Sequence, residues 1–329
     1  MHLSALDLTI VAIYAAFLLF IAQWVSREKA GYKKDTSDYF LAGRSLPWWA
    51  IGASLIAANI SAEQIIGMSG SAFKMGIAIG AYEWMAALTL IIVGKYLLPV
   101  FLKHKIYTMP QFLEQRYDHR VRMVMAFFWL GVYVFVNLTS ILWLGAQAVN
   151  TVTGLDLVWG LIGLGGFATA YSLYGGLKAV ALTDIIQVTL LVLGGLLIAG
   201  IALNEVAGGD GILAGFGILL EKAPAKFDLI FEKGNENYQY LPGISVLIGG
   251  MWIMNLSYWG FNQYIIQRAL AAKDVPEAQK GIMFAAYLKM LIPVIVVLPG
   301  VAAVMLAPDL ELQYHRRRNT AMYCPAPGS

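Results

Sequence analysis

Charge is scarce in this chain. Asp, Glu, Lys and Arg make up 13% of its 329 residues, against roughly 25% in soluble domains. Cysteine is almost missing: Cys324 stands alone, which excludes an intrachain disulfide. Histidine is sparse as well, with His2, His104, His119 and His315 at loops or ends. No residue spacing matches a metal site, no Ser/His/Asp arrangement stands out, and no glycine loop is placed to cradle a phosphate. GLGGF at 163–167 lies inside an apolar run and reads as helix packing. Neither enzyme chemistry nor an organic cofactor is expected. Nucleic acid is not expected either, because no dense basic patch alternates with aromatics and the net charge is only +3.

Apolar sequence is abundant. Hydrophobic residues make up 59% of the chain, and the mean hydropathy is +0.66. Apolar runs of 18 or more residues mark transmembrane helices. Such runs fall at 7–25, 47–73, 77–99, 123–149, 157–173, 180–203, 243–266 and 281–305. The fold class is therefore an all-α polytopic membrane protein of about eight spans. The first run has no basic residue before it and no small-residue cleavage site after it, so it reads as a span rather than a signal peptide. With the N-terminus outside, the inner loops carry Arg27, Lys29, Lys33, Lys34, Arg44, Lys103, Lys105, Arg116, Arg120, Arg122, Lys178, Arg268, Lys273 and Lys280. The outer loops carry Lys74, Lys222, Lys226 and Lys233. That asymmetry follows the positive-inside rule, and the expected location is the plasma membrane, in a bacterium its inner membrane.

Two spans are interrupted. SLIAANISAEQIIGMSG (54–70) places Asn59, Ser61, Glu63 and Gln64 inside an apolar run. LIGGMWIMNLSYWGFNQY (247–264) carries Gly249, Gly250, Asn255, Gly260, Asn262 and Gln263. Small residues can simply let helices pack closely. Two interrupted spans at matching positions, five spans apart, instead point to broken helices around a transporter's midplane site.

Four further polar residues stand inside spans. Lys289, in FAAYLKMLIPVIVV, either serves a site or snorkels to the inner surface. Glu83 serves a site or makes a structural bond between helices. Asp184, at the start of the sixth run, could be a helix cap. Asn137 could be a packing hydrogen bond or part of an ion route.

Three stretches carry a resemblance: DYFLAGRSLPWWAIGASLIAANISAEQIIGMSG (38–70), YSLYGGLKAVALTDIIQV (171–188) and NLSYWGFNQYIIQRALAAK (255–273). In these the chain resembles the sodium:solute symporter family, and the likeness runs to about residue 307. The resemblance implies a leucine-transporter-type inverted-repeat fold. It divides the chain into a peripheral helix and loop (1–46), a first five-helix repeat (47–205), an outer loop (206–241), the opening helices of a second repeat (242–307) and an atypical tail (308–329). It also implies roles within the family's sugar branch. Gln64, Glu83, Asn255 and Lys289 would bind the sugar. Met68, Tyr82 and Tyr258 would be gates. The carbonyls of Ala57 and Ile60 would hold Na⁺, the one metal ion implied. Asn137 and Asp184 would lie on the sodium exit route. Ala86 stands where the resemblance calls for a serine near the sugar. The tail PDLELQYHRRRNTAMYCPAPGS reads as a non-native or truncated end, because the family continues through further spans.

The implied activity is sodium-coupled symport of a sugar such as galactose or glucose by alternating access. Na⁺ would be the coupling ion, and the sugar and the lipid bilayer the partners. The alternatives are symport of inositol or sialic acid, a sugar sensor, or a fragment that does not transport.

Overall fold

The computed structural model describes residues 4–26, 36–61, 63–241 and 243–309. Arg27, Lys29, Lys33 and Lys34 of the orientation argument lie outside these residues, as does the tail from Leu310. The described residues are 86% helical and hold no β-strand. Among the described residues the eight apolar runs are largely helical, in agreement with the expected class. Among the described residues five helical stretches are long and apolar enough to cross a membrane: Leu6–Val25, Gln64–Lys103, His119–Thr153, Gly176–Val206 and Val275–Leu306. A sixth span arises if Glu236–Ile248 and Gly250–Phe261 are counted together, and Leu157–Ala170 is a shorter apolar helix.

The helices that matter for the site are α1 (Ala5–Ser26), α2 (Trp48–Asn59), α3 (Met68–Met75), α4 (Ala81–Ile92), α5 (Leu157–Val206), α6 (Gly250–Leu256), α7 (Gln263–Leu270), α8 (Val275–Ile292) and α9 (Leu298–Leu306). The breaks sit where the small and polar residues cluster. α2 ends at Asn59, and Ile60 is extended (φ −83°, ψ 114°). Before α7, Asn262 takes nearly the same conformation (φ −77°, ψ 121°). α5 is kinked at Gly176, whose φ of +59° favours glycine.

Wide π turns interrupt the spans at Glu63–Gly67, Val93–Leu97, Val132–Leu138, Ser257–Phe261 and Pro293–Val297. Two of them run into Pro99 or Pro299. A proline lacks the N–H that would continue the α ladder, so the bonding shifts there.

The chain forms two compact units, each assembled from separate segments. The first comprises residues 1–66, 83–191 and 247–290. Within it α2 packs against α7 and, through glycines, against α8. A Cβ on Gly281 would lie 2.7 Å from Ile51 Cγ2 and 2.9 Å from the Trp48 carbonyl. A Cβ on Gly52 would lie 2.7 Å from the Gly281 carbonyl. The missing side chains are what let the two helix backbones approach.

The second unit comprises residues 67–82, 192–246 and 291–329. There α3 packs on α9 around Ala72, Val297 and Val301. Lys226 caps the end of α3, its ammonium donating to the Phe73 carbonyl at 2.9 Å and the Lys74 carbonyl at 3.1 Å. A cation on unsatisfied C-terminal carbonyls is the arrangement the helix dipole favours.

Candidate functional site

The candidate site lies in the first unit, where both breaks occur. The last bond of the α2 ladder runs from Ile60 N–H to the Ile56 carbonyl at 2.9 Å. The α ladder of this helix ends there, and the last turn of any helix leaves carbonyl oxygens without an intrahelical partner. Ile60 itself is buried. Such released oxygens suit a hard cation.

Gln64 lies in the π turn that follows the first break. Its amide donates to Glu83 Oε1, and the other carboxylate oxygen of Glu83 pairs with the Lys289 ammonium. Lys289 also donates to Asn59 Oδ1. Lys289 is 1% exposed and Glu83 3%, so Lys289 does not snorkel. Its ammonium lies 5.1 Å from the centre of the Trp259 ring, within cation–π range.

Asn59 carries the network onward. Its amide donates to the Tyr258 hydroxyl at 3.0 Å, joining the first break to the π turn before the second. Tyr258 and Tyr264 share a hydroxyl–hydroxyl bond of 2.7 Å. The second break has its own partner, since the Tyr133 hydroxyl donates to Asn262 Oδ1 at 2.8 Å.

A second charged cluster lies on the neighbouring turn of α2. The Ser54 hydroxyl donates to Asp184 Oδ2 at 2.5 Å, and Arg268 Nε donates to Ser54 Oγ at 3.0 Å. Arg268 Nη2 stands 3.8 Å from the same carboxylate oxygen and Nη1 donates to the Tyr264 carbonyl. Among the described residues no buried side-chain nitrogen or oxygen lacks a partner. A fully satisfied polar network of this kind fixes its members' positions.

The structure thus brings together Gln64, Glu83, Lys289 and Tyr258. Asn255 is buried, but its amide donates to Met251 O in its own helix at 2.9 Å. Met68 and Tyr82 belong to the second unit, where Met68 packs against Ala72, Val297 and Val301. Asn137 is half-buried in the Val132–Leu138 turn. Asp184 does not cap a helix, as the sequence allowed. It lies about two turns beyond the Gly176 kink, and its carboxylate is taken by Ser54 and Arg268.

Sequence reasoning missed Ser54, Tyr264 and Arg268, and gave Asn59 no role in a site. Arg268 looked like an inner-loop charge, yet its side chain is only 12% exposed. The signal available was its spacing of four from Tyr264 within one helix turn.

Comparison with known proteins fits this geometry. The family model described as "Sodium:solute symporter family" matches residues 39–322. The chain is 56% identical over 310 residues to the "Sodium/glucose cotransporter" of Vibrio parahaemolyticus, covering 94% of this chain and 57% of that protein. It is 31% identical over 313 residues to human "Sodium/myo-inositol cotransporter 2", covering 92% of this chain and 46% of that one. The chain therefore spans about half the length of these relatives. Its fold is similar to that of a Na⁺-coupled sialic acid symporter solved in a substrate-bound outward-open state, with TM-score 0.77 and 23% identity over 98% of this chain and 62% of the other. At that identity the likeness speaks for the leucine-transporter-type fold alone. With its two broken helices bonded to each other and its buried polar centre, the chain belongs to the sodium:solute symporter family.

Proposed function

We propose that this chain carries the sugar-binding half of a symporter that moves a neutral sugar such as galactose or glucose together with Na⁺. Gln64, Glu83, Asn255 and Lys289 bind the sugar. The Ala57 and Ile60 carbonyls supply part of the Na⁺ site. Met68, Tyr82 and Tyr258 gate access, and Asn137 and Asp184 line the sodium exit. The chain follows the repeat order set out from its sequence, in a plasma membrane with the N-terminus outside. No organic cofactor takes part.

The observation that carries this reading is charge balance at the buried centre. Glu83 neutralises Lys289, and Asp184 accompanies Arg268. The centre offers hydrogen-bond donors and acceptors with no uncompensated charge, which suits hydroxyls and disfavours a carboxylated solute. Coupling to Na⁺ supplies the energy. One Na⁺ gains about 2.3 kcal/mol per 100 mV, and a tenfold gradient adds about 1.4 kcal/mol. Together these would concentrate a neutral sugar several-hundred-fold.

A neutral cyclic polyol fits the same balance, and the match to an inositol cotransporter makes inositol the second reading. The test is binding of radiolabelled galactose to the full-length protein in detergent with Na⁺ present. Glucose is expected to compete, and sialic acid is not. Strong competition by inositol alone would favour the second reading. Strong competition by sialic acid would overturn both.

A further inference from the structure

One flank of the first unit holds a groove of about 570 Å³ that none of the network's side chains lines. It is bounded by the start of α2, the turns around Lys95 and the first half of α8. Gln279 Nε2 donates to the Gly94 carbonyl at 3.0 Å, and Gly94 meets Ile282 with no side chain between. Lys95 and Lys280, the sequence neighbours of Gly94 and Gln279, both line the groove. The lining also includes the apolar Ile91, Met283 and Phe284.

The charge of the two lysines is only partly offset. Glu277 approaches Lys280 only to 3.9 Å, and its other oxygen accepts the Trp48 N–H at 2.8 Å. No carboxylate among the described residues pairs with Lys95, whose ammonium lies 5.3 Å from the Tyr96 ring centre. Both lysines are exposed, and so are Ile91, Met283 and Tyr287. Trp48, at the start of its span, fits the interfacial aromatic belt. A soluble anion has no use for the apolar floor, and an uncharged lipid has no use for two ammoniums.

We propose that this groove binds one anionic phospholipid, its phosphate between Lys95 and Lys280 and one acyl chain along Ile91, Met283 and Phe284. Basic pockets between transmembrane helices recognise such headgroups on general electrostatic grounds. The proposal does not depend on which solute is carried.

The test is native mass spectrometry of the full-length protein with added phosphatidylglycerol or phosphatidylcholine. Wild type is expected to retain phosphatidylglycerol preferentially. K95Q/K280Q is expected to lower that retention about tenfold. Met283→Trp, which fills the apolar floor and keeps both lysines, is expected to lower it as well. All three substitutions fall on exposed side chains, and elution from a sizing column in lipid-free detergent checks folding. If K95Q/K280Q misfolds, K95Q and K280Q are measured singly. Unchanged preference in the lysine variants overturns the proposal. Loss in those variants with full retention in Met283→Trp also overturns it, because the attraction would then belong to the surface and not the groove.

Discussion

Lys289 and Glu83 face each other across 206 positions of sequence, both almost wholly buried. Removing one member of a buried pair leaves the other charged and alone, which costs about 3–5 kcal/mol. Lys289→Met is therefore expected to lower the thermal midpoint of the detergent-solubilised protein and to abolish sugar binding. Combining it with Glu83→Gln should recover most of the midpoint while binding stays lost. Recovery of both would remove the pair from the sugar site. Arg268→Gln should destabilise in the same way by stranding Asp184, with Asp184→Asn as the compensating change. The sequence exposed Lys289, Glu83 and Asp184 one at a time, because a charge in an apolar run stands out. It could not pair them, since no spacing rule links residues on separate helices. Arg268 stayed hidden because it lies just past an apolar run and looks like a loop charge until α7 is seen to carry it inward.

Helix breaks were legible for a different reason. Asn59 stands among small residues and Asn262 beside Gly260 and Gln263, and the extended residues Ile60 and Asn262 fall there. The π turns were not legible, because no residue type marks them apart from the prolines at Pro99 and Pro299. Close contact between α2 and α8 was not legible either, since a glycine facing a helix and a glycine facing lipid look alike in sequence. The contact makes a sharp prediction. Gly281→Val would drive methyl groups into Ile51 and the Trp48 carbonyl, and overpacking of this kind costs about 1–3 kcal/mol. Membrane yield and thermal midpoint should both fall. Gly67→Ala, where a Cβ would meet nothing within 4 Å, should leave packing unaffected. Equal behaviour of the two variants would mean that α2 and α8 do not approach as described.

At the scale of the whole molecule, the proposed transport by alternating access would require that the bonds between the breaks exchange as the solute passes. Tyr258 links Asn59 to Tyr264 at the junction of the two broken helices. Tyr258→Phe removes both hydroxyl bonds and keeps the ring, so it should change the transport rate more than the binding affinity. Sugar counterflow and equilibrium binding, measured side by side, separate the two. Sodium coupling is tested most directly by uptake into proteoliposomes containing the full-length protein. Radiolabelled galactose or glucose should accumulate above its outside concentration when Na⁺ is directed inward, and collapse when a Na⁺ ionophore dissipates the gradient. Equal accumulation with K⁺ in place of Na⁺ would contradict coupling of the sugar to sodium.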